Sequence, residues 1–219
     1  MDDPTGRGPA KTGQEDGRKE WATRVEHDRV DSATRAVLLT AARRVFEDKG
    51  YARTTVAGIT TEAGVGRATF YVYFADKEEV FAVLARQVRD RFVASQELDG
   101  VDADDPHAVA EATITAYLEA YDENLALVTV LRHQSLADPA MGELWEEIHG
   151  LPLRRSAHYT RRLVERGMAS PAASPEAVAR AAGGMVAAFA GQGATTPHER
   201  DRTARELTAM YVRLLGLPE

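Results

Sequence analysis

The sequence predicts an all-α protein in two parts, a small N-terminal three-helix unit and a larger helical domain after it. Three observations lead there. Apolar residues recur at helical spacing from Val37 onward, and no alternating strand pattern survives beside them. A turn at Gly64-Val65-Gly66 separates two short helical segments. Four pairs, Asp105-Pro106, Asp138-Pro139, Ser174-Pro175 and Thr196-Pro197, each set a capping side chain before a proline suited to the first helical position.

Composition bounds the rest. A chain of 219 residues suits one large domain or two small ones and can bury a core without staples. It contains no cysteine, which removes disulfides, thiolate catalysis and thiolate metal sites. No apolar run reaches the ~18 residues of a membrane span, and the polar N-terminus lacks a signal-peptide apolar region. A cytoplasmic protein is therefore expected. The net charge of −7 is unevenly spread: residues 1–30 carry 6 basic and 7 acidic groups, residues 31–92 carry 10 and 8, and residues 93–219 carry 11 and 19. The acidic far half disfavours lying flat along a polyanion, so any nucleic-acid contact falls to residues 31–92.

Residues 1–30 are polar and charged, too poor in apolar surface to offset ordering entropy, and read as a disordered arm. Arg7, Lys11, Arg18 and Lys19 lie there, interleaved with acids. Asp31 or Ser32 opens the first helix, and Val37, Leu38, Ala41, Ala42, Val45 and Phe46 form one apolar stripe. Gly50 ends it, with Tyr51 folding back as the hydrophobic partner of the cap. Thr54 or Thr55 caps the next helix, on which Val56, Ile59 and Ala63 share a face, and Gly64 supplies its left-handed end. A third helix starts near Gly66, with Phe70 and Phe74 inward and Arg67, Thr69, Tyr71 and Tyr73 outward. Then Asp76 and Glu79 spell a capping box for a long helix carrying Val80, Phe81, Leu84, Val88 and Phe92.

A short helix, a tight turn and a second helix with a polar, aromatic outer face is the helix-turn-helix pattern; an ordinary core hairpin is the competing reading. The outer face favours DNA, because Arg67, Thr69, Tyr71, Tyr73 and Lys77 include donors for phosphates and base edges.

In the second half, Pro106 begins a helix through Ile114, Tyr117, Leu118 and Tyr121. A break near Asp122-Glu123-Asn124 leads into another with Leu127, Val128 and Leu131. Pro139 begins a helix through Leu144, Trp145 and Ile148, which Gly150 and Pro152 interrupt by a kink or a split before Tyr159, Leu163 and Val164. The last two helices, near 175–191 and 197–215, differ. The first is small on one side (Ala177, Ala181, Gly184, Ala187 and Ala188), whereas the second carries Leu207, Met210, Tyr211, Leu214 and Leu215.

Residues 31–81 resemble the DNA-binding domain of the tetracycline-repressor (TetR) family of bacterial transcriptional regulators. The resemblance lies in Ala41-Ala42, Phe46 and Lys49-Gly50-Tyr51, then Thr54-Thr55-Val56 and Ile59. It continues through Ala63-Gly64-Val65, Thr69-Phe70-Tyr71, Tyr73-Phe74, Lys77-Glu78 and Val80-Phe81. It implies a helix-turn-helix DNA-binding domain over 31–75 and a helical ligand-binding and dimerisation domain over 76–219. It also implies a homodimer joined through the last two helices, and a small-molecule effector between helices of the second domain. Carried over by position, Thr55, Tyr71, Tyr73 and Lys77 would contact phosphates and Arg67, Ala68 and Thr69 would face base edges, with Thr54 counted among the DNA-binding residues. Gly66 departs from the serine common in relatives, which removes a side-chain cap and leaves backbone N–H groups for a phosphate. Arg67 is larger than the usual residue and suits a bidentate contact to guanine.

Metal and catalytic constellations are missing from the pattern. None of the six histidines stands at metal-ligand spacing, and there is neither a nucleophile elbow nor a phosphate-cradling loop. No enzyme, metal or cofactor is expected. Tyr117, Tyr121, His133, Trp145, His149, Met185 and Phe189 are candidate lining for an apolar effector pocket, each also explicable as core. The expected function is a repressor that binds a palindromic operator as a homodimer and is released by a small, apolar molecule. A non-specific architectural DNA binder and a helical small-molecule binder or enzyme without DNA function are the alternatives.

Overall fold

Eight helices and no strand make up residues 33–191 and 196–218, which a computed structural model of the protein describes. The N-terminal arm, and the Asp31 or Ser32 cap expected for the first helix, lie outside these residues.

Helix α1 (Ala33–Arg53) buries Leu38, Leu39, Ala41, Ala42, Val45 and Phe46. Val37, expected in that stripe, is turned out with 46% of its surface exposed, and Leu39 takes the inward place. Gly50 breaks the helical path at φ 72° and ψ 170°, a conformation that costs glycine little. Tyr51 then stacks on Phe46 at 5.8 Å and meets Phe81 edge-on at 5.0 Å, closing the end of α1. Helices α2 (Val56–Ala63) and α3 (Arg67–Tyr73) follow, and α4 (Lys77–Ala94) runs from this unit into the rest of the molecule. Asp76 caps α4 by accepting from the Glu79 N–H at 2.8 Å. The Glu79 carboxylate reaches back to the Ala75 N–H at 2.7 Å, one residue before the Asp76 N–H that a capping box would engage.

All four proline-marked starts are real. Helices α5 (Pro106–Ser135), α6 (Pro139–Glu165), α7 (Pro175–Phe189) and α8 (Pro197–Leu215) begin with Asp105, Asp138, Ser174 and Thr196 as side-chain N-caps. Thr196 and Glu199 form the full reciprocal box.

The expected break in α5 does not occur, and of the kink or split expected at Pro152 the split does not. Helix α5 is continuous through Asp122-Glu123-Asn124. Asn124, which locally favours a turn, is buried, with its amide donating to Ala120 O at 2.7 Å and its oxygen accepting from Arg43 at 2.8 Å. Helix α6 likewise passes through Gly150 and Pro152 without splitting. Pro152 is buried on the same face as Leu144, Ile148 and Ala157, so packing outweighs the roughly 3 kcal/mol that an interior proline costs. At the other end of the domain, α7 stops at Phe189, two residues short of the expected limit.

Helix α5 is the axle of the molecule, packing against α1, α4, α6, α7 and α8. A single hydrophobic core runs from Leu38 through Phe81, Phe92 and Tyr121 to Leu215, and α4 carries it from the small unit into the large one.

Candidate nucleic-acid interface and candidate ligand cavity

Capping fixes the geometry of the α2–α3 pair. Thr55, the N-cap of α2, accepts from the Gly58 N–H at 3.1 Å. At the other end Gly64 adopts φ 68° and ψ 28°, and the Val65 N–H returns to Thr60 O at 3.1 Å. These bonds close the helix in the left-handed manner that glycine allows. Phe70 and Phe74 are buried, so α3 is bolted to the core by one face. Its other face is open: Gly66, Arg67, Ala68 and Tyr71 are exposed, while Thr69 and Tyr73 are half-buried. Tyr71 keeps 53% of its surface exposed and Val72 48%, unusual for such side chains unless something covers them. Gly66 provides no side-chain hydrogen bond to the helix start.

Two expected DNA contacts are spent elsewhere. Thr54 is only 1% exposed, and its hydroxyl donates to Gly50 O at 2.8 Å, tying the end of α1 to the start of α2. Lys77 is half-buried, with its ammonium donating to Tyr51 O at 3.1 Å and Thr54 O at 3.2 Å and lying 4.6 Å over the Tyr51 ring. A cation at the end of a helix gains from the carbonyls it meets. Both residues shape the unit from within, which removes the two from its outward face.

The unit is latched to the large domain by polar contacts that sequence reading missed. Arg43 of α1 donates to Glu123 O at 3.0 Å and to Asn124 at 2.8 Å, and pairs with Glu47 at 2.9 Å. Arg91 of α4 makes a two-pronged pair with Glu123, at 2.9 and 3.2 Å, which holds that carboxyl below the usual range. Arg89 also bonds Glu147 of α6.

In the large domain, four of the seven expected pocket residues come together. Tyr117, Tyr121, Trp145 and His149 gather around Phe92, with the His149 and Trp145 rings 3.7 Å apart. Burial pushes the His149 imidazole down to about 4, and its Nε2 has no partner. His133 is exposed on α5 and takes no part in the cluster. Met185 is partly buried against the core, and Phe189 lines a separate cleft with Leu118 and Arg200. A small cavity of about 30 Å³ lies beside the aromatic cluster, and of the expected residues only Tyr117 reaches it; Gln96, Ile114, Leu153, Ser156, Gly183 and Tyr211 line it as well. Four helices, α5 to α8, and the second residue after α4 converge there, which helical periodicity within one segment could not reveal.

Among the described residues the arrangement is all-helical, with α3 exposed on a small unit that shares one core with the larger helical part. Residues 38–84 match the family described as bacterial regulatory proteins, tetR family. That stretch of the chain is similar to the DNA-binding domain of tetR-family proteins. The chain is 32% identical over 90 residues to the uncharacterized HTH-type transcriptional regulator YfiR of Bacillus subtilis, covering 41% of this chain and 42% of that protein. It is 33% identical over 70 residues to the HTH-type transcriptional repressor Rv1474c of Mycobacterium tuberculosis, covering 32% and 37%. The chain thus spans less than half the length of these curated relatives. A tetR-family regulatory protein from Rhodococcus RHA1 shares the fold, with a TM-score of 0.71 at 20% identity, over 86% of this chain and all of that one. Among the described residues, no helix is long and apolar enough to cross a membrane, and no group of His, Asp and Glu could hold a metal ion.

Proposed function

We propose that this protein is a ligand-responsive transcriptional repressor that binds a near-palindromic DNA operator as a homodimer in the cytoplasm. The observation that carries the reading is α3: a helix anchored by Phe70 and Phe74 whose opposite face leaves Arg67, Ala68 and Tyr71 exposed. Placed in the major groove, that face sets Arg67, Ala68 and Thr69 toward base edges and Thr55, Gly66, Tyr71 and Tyr73 toward phosphates.

Dimerisation is supported by α7, where Ala177, Ala181, Gly184 and Ala188 form an exposed stripe of small residues at helical spacing. A β-carbon added at Gly184 would meet nothing within 4 Å, so a second helix could approach closely. Two recognition helices related by a two-fold axis would sit about 34 Å apart, one turn of DNA. An effector bound in the large domain shifts the dimer only if its affinity differs between the DNA-fitting form and another. The Arg43–Asn124 and Arg91–Glu123 contacts give such a difference a route to α1 and α4.

Selection of bound fragments from random DNA by the full chain, at moderate salt, tests the reading. A two-fold symmetric consensus is expected; fragments enriched without shared sequence, or no enrichment, would sink it.

A further inference from the structure

We propose that Val72, on the outward side of α3, packs against the C5-methyl group of a thymine in each operator half-site and so determines specificity beside Arg67. The inference rests on the operator-binding reading above and adds one base of the half-site to it.

Val72 does little for its own chain. Phe70 is fully buried and Tyr73 packs against the core, so α3 is already anchored without it. Its branched Cβ makes it a poorer helix former than alanine or leucine. An exposed valine in this seven-residue helix therefore supplies neither packing nor propensity. Nor is it a solitary surface side chain. Among the described residues five large hydrophobic side chains are exposed, and two of them, Tyr71 and Val72, adjoin on α3.

Position puts Val72 at the middle of the free face. Two residues after Phe70, it stands nearly opposite that buried ring across the helix. Ala68, four residues earlier, lies on the same side and is exposed too, so the pair forms an apolar strip beside Arg67 and Tyr71. Thr69, next to Phe70, sits at the edge and is half-buried. The sequence of α3 holds no acidic residue that would repel a polyanion.

The chemistry of the groove then selects the base. An isopropyl group neither donates nor accepts, so it gains nothing from a phosphate or a polar base edge. The major groove offers one apolar group, the thymine methyl. Against the other bases the side chain would displace water from polar atoms and return no hydrogen bond. A β-branched residue in a helix also holds one preferred rotamer, which leaves little freedom to lose on contact. Val72 follows Arg67 by five residues, roughly 7.5 Å along the helix axis. That is about two base-pair steps, so the thymine lies near the pair that Arg67 reads.

Binding of the full chain to its selected operator tests the assignment, with each thymine replaced in turn by deoxyuridine, which removes the methyl group alone. Wild type should lose about three- to five-fold at one thymine in each half-site, the loss expected for one buried methyl. That thymine should fall within about three base pairs of the pair read by Arg67. Val72→Ala should bind the operator more weakly and be indifferent to deoxyuridine at that position. Its thermal midpoint should match wild type, because the side chain is exposed. Deoxyuridine tolerated at every thymine, an equal penalty in Val72→Ala, or Val72→Ala binding as tightly as wild type would overturn the assignment and leave operator binding standing. A selection that returns no two-fold symmetric consensus would overturn the operator-binding reading, and the Val72 contact with it.

Discussion

The two halves of this molecule solve the same problem, a helical core, by opposite means. In the small N-terminal unit the helices α2 and α3 are very short and everything is settled locally. A threonine cap, two glycines at turns and a knot of Phe46, Tyr51, Phe70, Phe74 and Phe81 fix the pair with nothing left over. In the large domain α5 and α6 run 30 and 27 residues, and their packing leaves a neutral cavity, an unpartnered Gln96 oxygen and a buried imidazole. Local caps and ring contacts are concentrated around the short helices α2 and α3. Imperfect satisfaction is concentrated in the large domain.

The contrast can be broken most forcefully in the small core. Phe70→Ala should cost about 3–5 kcal/mol, because the neighbours of a buried ring in so short a helix cannot collapse into the void. Chemical denaturation should show it as a loss of midpoint, and a cost under about 1 kcal/mol would mean the unit is far looser than described.

Next comes the imidazole of the large domain. The folded value of His149, near 4, lies below its ordinary 6.5, so unfolded chains take up the proton first as pH falls. Its contribution is present above pH 6.5 and is lost as pH falls toward 4, amounting to roughly 3 kcal/mol. His149→Leu should flatten that part of the stability–pH curve; an unchanged slope would place the proton uptake elsewhere.

A smaller effect is expected at the border. Asn124→Ala removes a buried partner of Arg43 and should cost roughly 1–3 kcal/mol. Combined with Arg43→Ala it should be clearly non-additive, whereas strict additivity would show that the latch does not act as one unit. Smallest is Thr55→Ala, which leaves the Gly58 N–H without its cap and should cost about 1 kcal/mol. Stability and operator affinity should fall together there.

What could be read from the chain follows the same division. The α2–α3 turn, the Thr55 cap and all four proline-marked helix starts were legible because each is written within about four residues. The passages of α5 through Asn124 and of α6 through Pro152 were not, because their support comes from Arg43, far away in sequence, and from buried faces of other helices. Thr54 and Lys77 misled for a related reason: their side chains look outward-facing by type, yet the backbone carbonyls they satisfy are exposed only by the folded turn. The aromatic cluster was partly visible as Tyr117, Tyr121, Trp145 and His149. The cavity beside it was not, since Gln96 carries no periodic signal.

The central claim is that α3 reads sequence through Arg67. The most direct measurement is the affinity of Arg67→Ala for the selected operator and for its single-base variants, compared with wild type at one salt concentration. Loss of roughly 1–3 kcal/mol, confined to one base-pair position in each half-site where preference then relaxes, is the predicted result. An equal loss across every sequence, with preference intact, would make Arg67 a backbone contact and contradict the account.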